Sequence, residues 1–302
     1  MPEVRLSAGT VTYEDTGGEG TVVVLLHGVA MDGSLWDRVV YGEPGAGGGE
    51  GTEGLSAAYR CVVPTLPLGG HARPMRPDAD LSVRGVALLV AEFLESLDLR
   101  DVTLVLNDWG GAQALVAEGR DERVGRLVLT SCEAFTNYPP GLPGRNLGLL
   151  GKIPRGAGLG LAAYAMRLRP AQRLPMTWGW MAKRPLPPEL VDAWFRPLRT
   201  SAGVRRDLHK YLRGVPQPAE LARWSEALRG FDRPALVAWA AEDRVMPPEH
   251  GRRLAALLPR SSYAEIPDSY ALIPRDQPAR LVAELRAFLE NGRSPGSGDD
   301  RR

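Results

Sequence analysis

Apolar positions along this chain follow two rhythms. Short unbroken runs predict strands buried on both faces, as in a mostly parallel sheet: Thr21 to Leu26, Arg60 to Pro64, Val102 to Leu106, Val124 to Cys132 and Pro234 to Ala241. Elsewhere the spacing widens to three and four. Val86, Leu89, Val90, Phe93, Leu94 and Leu97 share one helical face behind a cap at Asp80 or Ser82, which predicts a helix ending near Leu97. A second helix runs to about Gly119 and a last one from about Pro278 to Glu290. Residues 3–15 read as two short strands closed by the turn Gly17-Gly18, and Tyr263 to Ile266 as a late strand. Strands alternating with helices across short loops predict an α/β fold built from βαβ units.

The pattern changes at Glu133. Residues 134–216 carry Pro, Gly, Arg and aromatic residues, among them Tyr138, Trp178 and Trp194, with no strand rhythm. The expectation is a helical cap, with a core made of residues 1–133 and 217–290. Residues 42–54 read as a glycine-rich surface loop and 291–302 as a disordered tail. No internal repeat is visible.

One stretch carries chemistry. The run Val102 to Leu106 reaches Asn107-Asp108, breaks at Trp109-Gly110-Gly111, and a helical pattern follows. A strand, a sharp turn and a helix present one side chain at the top of a sheet, where a nucleophile sits in a small-x-nucleophile-x-small pattern. The other reading is that Asp108 caps the helix. Earlier, the strand ending at Leu26 runs into His27-Gly28-Val29-Ala30, a loop able to turn backbone N–H groups toward the carboxyl edge of the sheet.

Composition narrows the function. The 302 residues are 44% hydrophobic, enough for one large α/β domain or a domain with an insertion, and the formal net charge of +1 gives no electrostatic argument for nucleic acid or an anionic membrane. No apolar run approaches the roughly 20 residues of a membrane span, and the N-terminus lacks a signal-peptide pattern. Cys61 and Cys132 end apolar runs and read as buried free thiols, which suits a reducing cytoplasm. Three lysines among 37 basic residues reflect a genomic bias rather than a function. No Cys/His cluster has metal-ligand spacing and no strand leads into a dinucleotide-binding glycine turn, so no metal or cofactor is expected.

Together, the His-Gly loop, the aspartate elbow, the helical insertion and Glu242-Asp243 after a late strand resemble the α/β-hydrolase family. The Asn107-Asp108-Trp109-Gly110-Gly111 elbow looks most like its haloalkane dehalogenase and epoxide hydrolase branch. The resemblance covers roughly residues 3–290. It implies an eight-stranded-type sheet, Asp108 as the attacking carboxylate, the N–H groups of Val29 and Trp109 facing the developing negative charge, the Trp109 indole beside a halide or epoxide oxygen, and Asp243 as the triad acid. It also implies a histidine after the last strand. The matching segment is Asp268-Ser269-Tyr270-Ala271-Leu272, which puts Ala271 in that place, and no histidine follows His250.

The four histidines have other readings. His27 belongs to its loop, His71 lies in a loop bordering the site and is a candidate substitute base, His209 sits on a helix, and His250 starts one. Without imidazole, an ester on Asp108 would form and persist. Alternatively the reaction needs no water, and Asp108 acts not as a nucleophile but, with Asp243, as one of a coupled pair of carboxyls, one of them raised, in acid–base work. Tyr270 and Asp32 are further candidates. Asn107, Tyr138, Trp178, His27 and Ala271 are expected around a pocket for a small hydrophobic substrate, in a monomer or homodimer. Three functions remain open on sequence: a dehalogenase-like or epoxide hydrolase-like enzyme, a non-hydrolytic cyclase, lyase or isomerase on the same fold, and a binding protein without activity.

Overall fold

In the computed structural model, residues 1–44 and 51–291 are described. The centre of the glycine-rich segment and nearly all of the expected tail lie outside them. The flanks of that segment are not the plain loop expected: Gly42–Glu43 and Thr52–Glu53 pair as a short antiparallel ribbon. Gly42, at φ 84°, has no room for a Cβ, which would come within 1.8 Å of the Thr52 carbonyl oxygen.

Eight strands form one sheet: β1 (Glu3–Leu6), β2 (Gly9–Asp15), β3 (Val22–Leu26), β4 (Arg60–Pro64), β5 (Val102–Asp108), β6 (Val124–Cys132), β7 (Ala235–Ala240) and β8 (Ser261–Ile266). Their order across the sheet is β1-β2-β4-β3-β5-β6-β7-β8. β2 runs antiparallel to both β1 and β4, and the remaining pairs are parallel. This is the α/β-hydrolase arrangement. All seven residues of β5 and all six of β7 are buried, which is why those runs show no alternation.

The longer helices are α1 (Val83–Ser96), α2 (Gly111–Ala117), α3 (Gly141–Gly151), α4 (Ala157–Ala165), α5 (Pro188–Thr200), α6 (Ala202–Arg213), α7 (Pro218–Ala227), α8 (Pro248–Leu257) and α9 (Pro278–Asn291). Ser82 caps α1, its hydroxyl accepting from the Gly85 N–H at 3.1 Å, while Asp80 holds the Ser82 N–H. α3 to α7 fill the stretch between β6 and β7, and no strand interrupts them among the described residues. Within that stretch α3 packs on α6 and α4 on α5, whereas α7 returns to lie against α2.

The core fills both faces of the sheet with fully buried Trp36, Trp239, Phe93, Phe231, Leu25 and Leu26. Each such side chain contributes roughly 1.5–3 kcal/mol by leaving water. Cys61 and Cys132 are buried free thiols, as the sequence predicts. Burial pushes the Cys61 thiol up to about 12 and the Cys132 thiol well above its ordinary value, so both stay neutral. No helix among the described residues is long and apolar enough to cross a membrane.

Candidate active site

The elbow between β5 and α2 excludes the helix-cap reading of Asp108. The N-cap of α2 is Gly110, with no side-chain cap, so Asp108 does not serve the helix. Asp108 takes φ 68°, and the Trp109 N–H folds back to the Asn107 carbonyl at 2.7 Å. A non-glycine residue held there costs roughly 1–3 kcal/mol, a cost met by the buried strand on one side and the helix on the other. Two glycines make room. A Cβ at Gly111 would lie 2.0 Å from the Trp109 ring, and one at Gly28 would lie 2.1 Å from Asp108 Oδ2. Any side chain at position 28 would displace the carboxylate.

The Val29 N–H donates to Asp108 Oδ2 at 3.2 Å, the geometry expected of the His-Gly loop. His27 shapes that loop: its Nε2 accepts the Leu66 N–H at 2.8 Å, and its Nδ1 meets the Gly28 carbonyl at 2.8 Å. Burial holds its imidazole down at about 4, so it is neutral. Asp32 caps the turn Gly33–Trp36 through the Ser34 N–H at 2.9 Å. His27 and Asp32 therefore build the loop and do not line the cavity.

Above Asp108 lies a cleft open to solvent, with a cavity volume of about 130 Å³. Its walls are apolar, with Leu147, Leu150, Met166, Trp178, Met181 and Phe195 among them. Its polar groups are few: Asp108 and Glu133, Tyr138 and Tyr211, Asn146 and Thr177. Tyr138 and Trp178, expected there from the sequence, are in place.

Glu133, Tyr211 and Phe195 were not legible as site residues. For Glu133 a signal existed: it directly follows β6, at the carboxyl edge of the sheet next to Asp108, where ligands gather in α/β folds. Its backbone is held by Gln113 of α2, whose amide donates to the Glu133 carbonyl. Gln113 Oε1 in turn accepts from Ser225 of α7 at 2.6 Å. Glu133 Oε2 also accepts the Gly110 N–H at 3.3 Å.

Both carboxyls are raised. Burial, and then the charge of Asp243, push Asp108 up to about 7 against the pull of the Val29 N–H. Burial and the charge of Asp108 push Glu133 well above the carboxylate range. The floor of the cleft thus holds two carboxyls whose charged forms are disfavoured by burial.

Other expected residues fall elsewhere. Asp243 is nearly buried outside the cleft lining, close enough for its charge to act on Asp108. Its Oδ1 accepts the N–H groups of Val245 and Met246 at 2.8 and 2.7 Å, as a turn residue would, and the Ser131 side chain lies against its carboxyl. Burial pushes this carboxyl up to about 6. Ala271 is fully buried, and its carbonyl accepts from Asn107 Nδ2 at 2.8 Å. Asn107 also donates to Thr130, so it ties β5 to β6 and to the segment after β8 instead of facing substrate.

Tyr270 is turned away from the cleft, its ring under the Arg244 guanidinium and its N–H on Asp276. Trp109 lies over Gly111, and its indole N–H is buried without a partner among the described residues, outside the cleft lining.

None of the four histidines lines the cleft. His71 is buried between the Gly69 N–H and Asp207, with Nε2 3.3 Å from Asp207 Oδ2, and His250 stacks edge-on against Phe135. His71 is therefore not the substitute base the sequence offered. No group of three or more His, Cys, Asp or Glu among the described residues has the geometry to hold a metal.

Comparison with known proteins agrees with this fold. A family model described as alpha/beta hydrolase family matches residues 23–285. A cis-3-alkyl-4-alkyloxetan-2-one decarboxylase from Xanthomonas campestris is 28% identical, over 93% of this chain and 92% of its own. A haloalkane dehalogenase from Mesorhizobium japonicum is 25% identical, over 95% of this chain and 90% of its own. Among solved structures, a thermophilic esterase from Thermogutta terrifontis superposes with a TM-score of 0.70 at 22% identity, covering 97% of this chain and all of the esterase.

Proposed function

The chain belongs to the α/β-hydrolase family, and from that premise we propose that it transforms a hydrophobic small molecule at Asp108 by a route that needs no activated water. The single observation that carries the proposal is the composition of the cleft: it contains Asp108, Glu133 and two phenols but no imidazole. In the hydrolytic members that this chain resembles, an ester on the elbow carboxylate must be cleared by water, and a general base contributes ~10²–10⁴-fold to such a step. A reaction whose intermediate releases the carboxylate by itself avoids that requirement.

A disubstituted β-lactone, the ring named for the Xanthomonas relative, is such a substrate. Ionised Asp108 attacks C4, the ring C4–O bond breaks, and its electron pair stays on the freed carboxylate carried by C3. The bond between C3 and that carboxylate then breaks as CO2 leaves, and its electron pair forms the C3=C4 double bond. The C4–O bond to Asp108 breaks in the same step, returning its electron pair to the aspartate. Inversion at C4 followed by anti loss of CO2 carries a cis lactone into a cis alkene. Protonated Glu133 offers a hydrogen bond to the carboxylate as the ring opens, and the Val29 N–H holds the oxygen of Asp108 that does not attack. Residues 134–216 act in this reading as a cap whose apolar side chains keep water from the intermediate.

The test is gas chromatography of cis-3-alkyl-4-alkyloxetan-2-ones incubated with the protein. The reading expects the cis alkene with one equivalent of CO2, and loss of conversion in Asp108→Asn. A β-hydroxy acid as the product, or conversion that survives Asp108→Asn, overturns it. A second reading is favoured by the likeness to the haloalkane dehalogenase: Asp108 displaces halide from a carbon and the ester accumulates, which appears in intact mass spectra as one adduct on Asp108.

A further inference from the structure

The stretch from Ala134 to Met176 contains no Asp or Glu and six Lys or Arg, in a chain whose formal net charge is only +1. The whole-chain balance therefore conceals a strongly cationic segment, which corrects the electrostatic expectation drawn from the total. The same segment holds the exposed apolar surface. Of the eleven exposed large apolar side chains among the described residues, eight lie between Leu142 and Met176.

They are not scattered along it. Leu161 and Tyr164 share one face of α4, and Leu168 follows three residues after the helix ends. Their exposures of 75%, 56% and 62% invert the usual pattern of a surface helix. Ala162 and Met166 lie between them in sequence and line the cleft. Leu142 and Leu149 repeat the arrangement on α3, which packs against α4. Met176 is both exposed and part of the cleft wall, so the apolar surface is continuous with the cavity.

Cations frame this surface. Arg145, Lys152, Arg167, Arg169 and Arg173 are exposed, and none forms an ion pair among the described residues. Lys183 and Arg184, just beyond, are neutralised by Glu242 and Asp268. Exposed leucines among unpaired arginines match a surface with an apolar interior and an anionic boundary. A second copy of the chain is a poor match, since a self-complementary contact would set five unpaired cations against their equals.

We propose that the face formed by α3, α4 and the turns to Met176 seats the protein on an anionic lipid surface, so that hydrophobic substrate passes from the lipid into the cleft past Met176. Docking of this kind is peripheral: apolar side chains enter the headgroup boundary and arginines meet lipid phosphates. It is independent of the reaction performed at Asp108.

The test is co-sedimentation of the full chain with vesicles of phosphatidylcholine alone and of phosphatidylcholine mixed with phosphatidylglycerol. The expected result is at least ~10-fold stronger partitioning onto the mixed vesicles, weakened by raised salt. Two double variants separate the components: Leu161→Asp with Leu168→Asp, and Arg167→Glu with Arg173→Glu. All four residues are exposed and outside the cleft lining, so melting temperature should stay near that of the unsubstituted protein while partitioning falls about tenfold in each variant. Equal binding to neutral and anionic vesicles, no binding to either, or binding unchanged in both variants overturns the proposal. So does a dimer in sedimentation equilibrium that Leu161→Asp dissociates, because the face would then belong to a second copy.

Discussion

The loops that follow β3 and β5 and the loops that follow β7 and β8 meet behind the same carboxylate, yet they are committed to different ends. On the first side the backbone is shaped around Asp108. Gly28 leaves space that its oxygen occupies, the Val29 N–H binds it, and two glycines let the elbow turn at φ 68°. On the second side the groups are committed to one another. Ala271 offers only its carbonyl, taken by Asn107, and the Tyr270 N–H is held by Asp276. Asp243 spends one oxygen on the turn, and the Ser131 side chain lies against its carboxyl. The contrast teaches that one side of the sheet edge leaves a carboxylate open to the cleft while the polar groups of the other side are used in holding their own loops together.

Replacing Asp108 is the largest expected break. Asp108→Asn keeps the volume and the Val29 contact but removes the ionisable oxygen, and conversion should fall by ~10²–10⁴-fold or more in an initial-rate assay. A fall smaller than tenfold would mean the first side is scaffold only.

Next is Ala271→His, which tries to make the second side resemble that of a hydrolytic relative. An alkyl ester formed on Asp108 with a halogenated probe should then lose its adduct mass ~10²–10⁴ times faster. Ala271 is fully buried, so the larger ring should also lower stability by roughly 1–3 kcal/mol, measured by thermal melting.

A third expectation concerns pH. A carboxyl raised from 3.8 to about 7 by burial favours the folded protein in its protonated form. That contribution is complete below about pH 4 and is lost as pH rises through about 7, amounting to as much as ~4 kcal/mol for a raise of this size. Asp108→Asn should therefore melt higher than the unsubstituted protein at pH 8 and no higher at pH 4. A difference that is constant with pH would contradict the raised value.

The smallest effect belongs to Asp243→Asn. Its retained oxygen can still accept the Val245 and Met246 N–H groups, but its charge is gone. The pH midpoint of the Asp108-dependent rate should move below about 7 without returning to 3.8, because burial is the larger cause and Asp243 the lesser.

Much of this contrast was readable before the structure. Buried parallel strands announce themselves as unbroken runs such as VTLVL, and Ser82 and Gly110-Gly111 mark helix starts by backbone rules that act locally. The presenting side of the site was legible for the same reason: Gly28, Val29, Asp108 and the paired glycines sit within a few residues of a strand end. What the sequence did not convey depends on contacts between distant segments. Glu133 reads as the boundary of the cap until α2, through Gln113, fixes it beside Asp108. His71 reads as a candidate base until Asp207, 136 residues away, takes its Nε2. Asn107 reads as a pocket residue until its amide is found on Thr130 and Ala271. The cationic apolar face was hidden by averaging charge over the whole chain.

The central claim, that Asp108 reacts and is released without water, can be read from oxygen isotopes. Water that hydrolyses an aspartyl ester attacks the carbonyl carbon, so its oxygen ends in the aspartate. The protein should be run through many turnovers on a cis-3-alkyl-4-alkyloxetan-2-one in ¹⁸O-water, digested, and the peptide containing Asp108 weighed. The account predicts an Asp108 carboxyl with no ¹⁸O and an alkene product. Label in Asp108 that grows with turnover, together with a hydroxylated product, would contradict it.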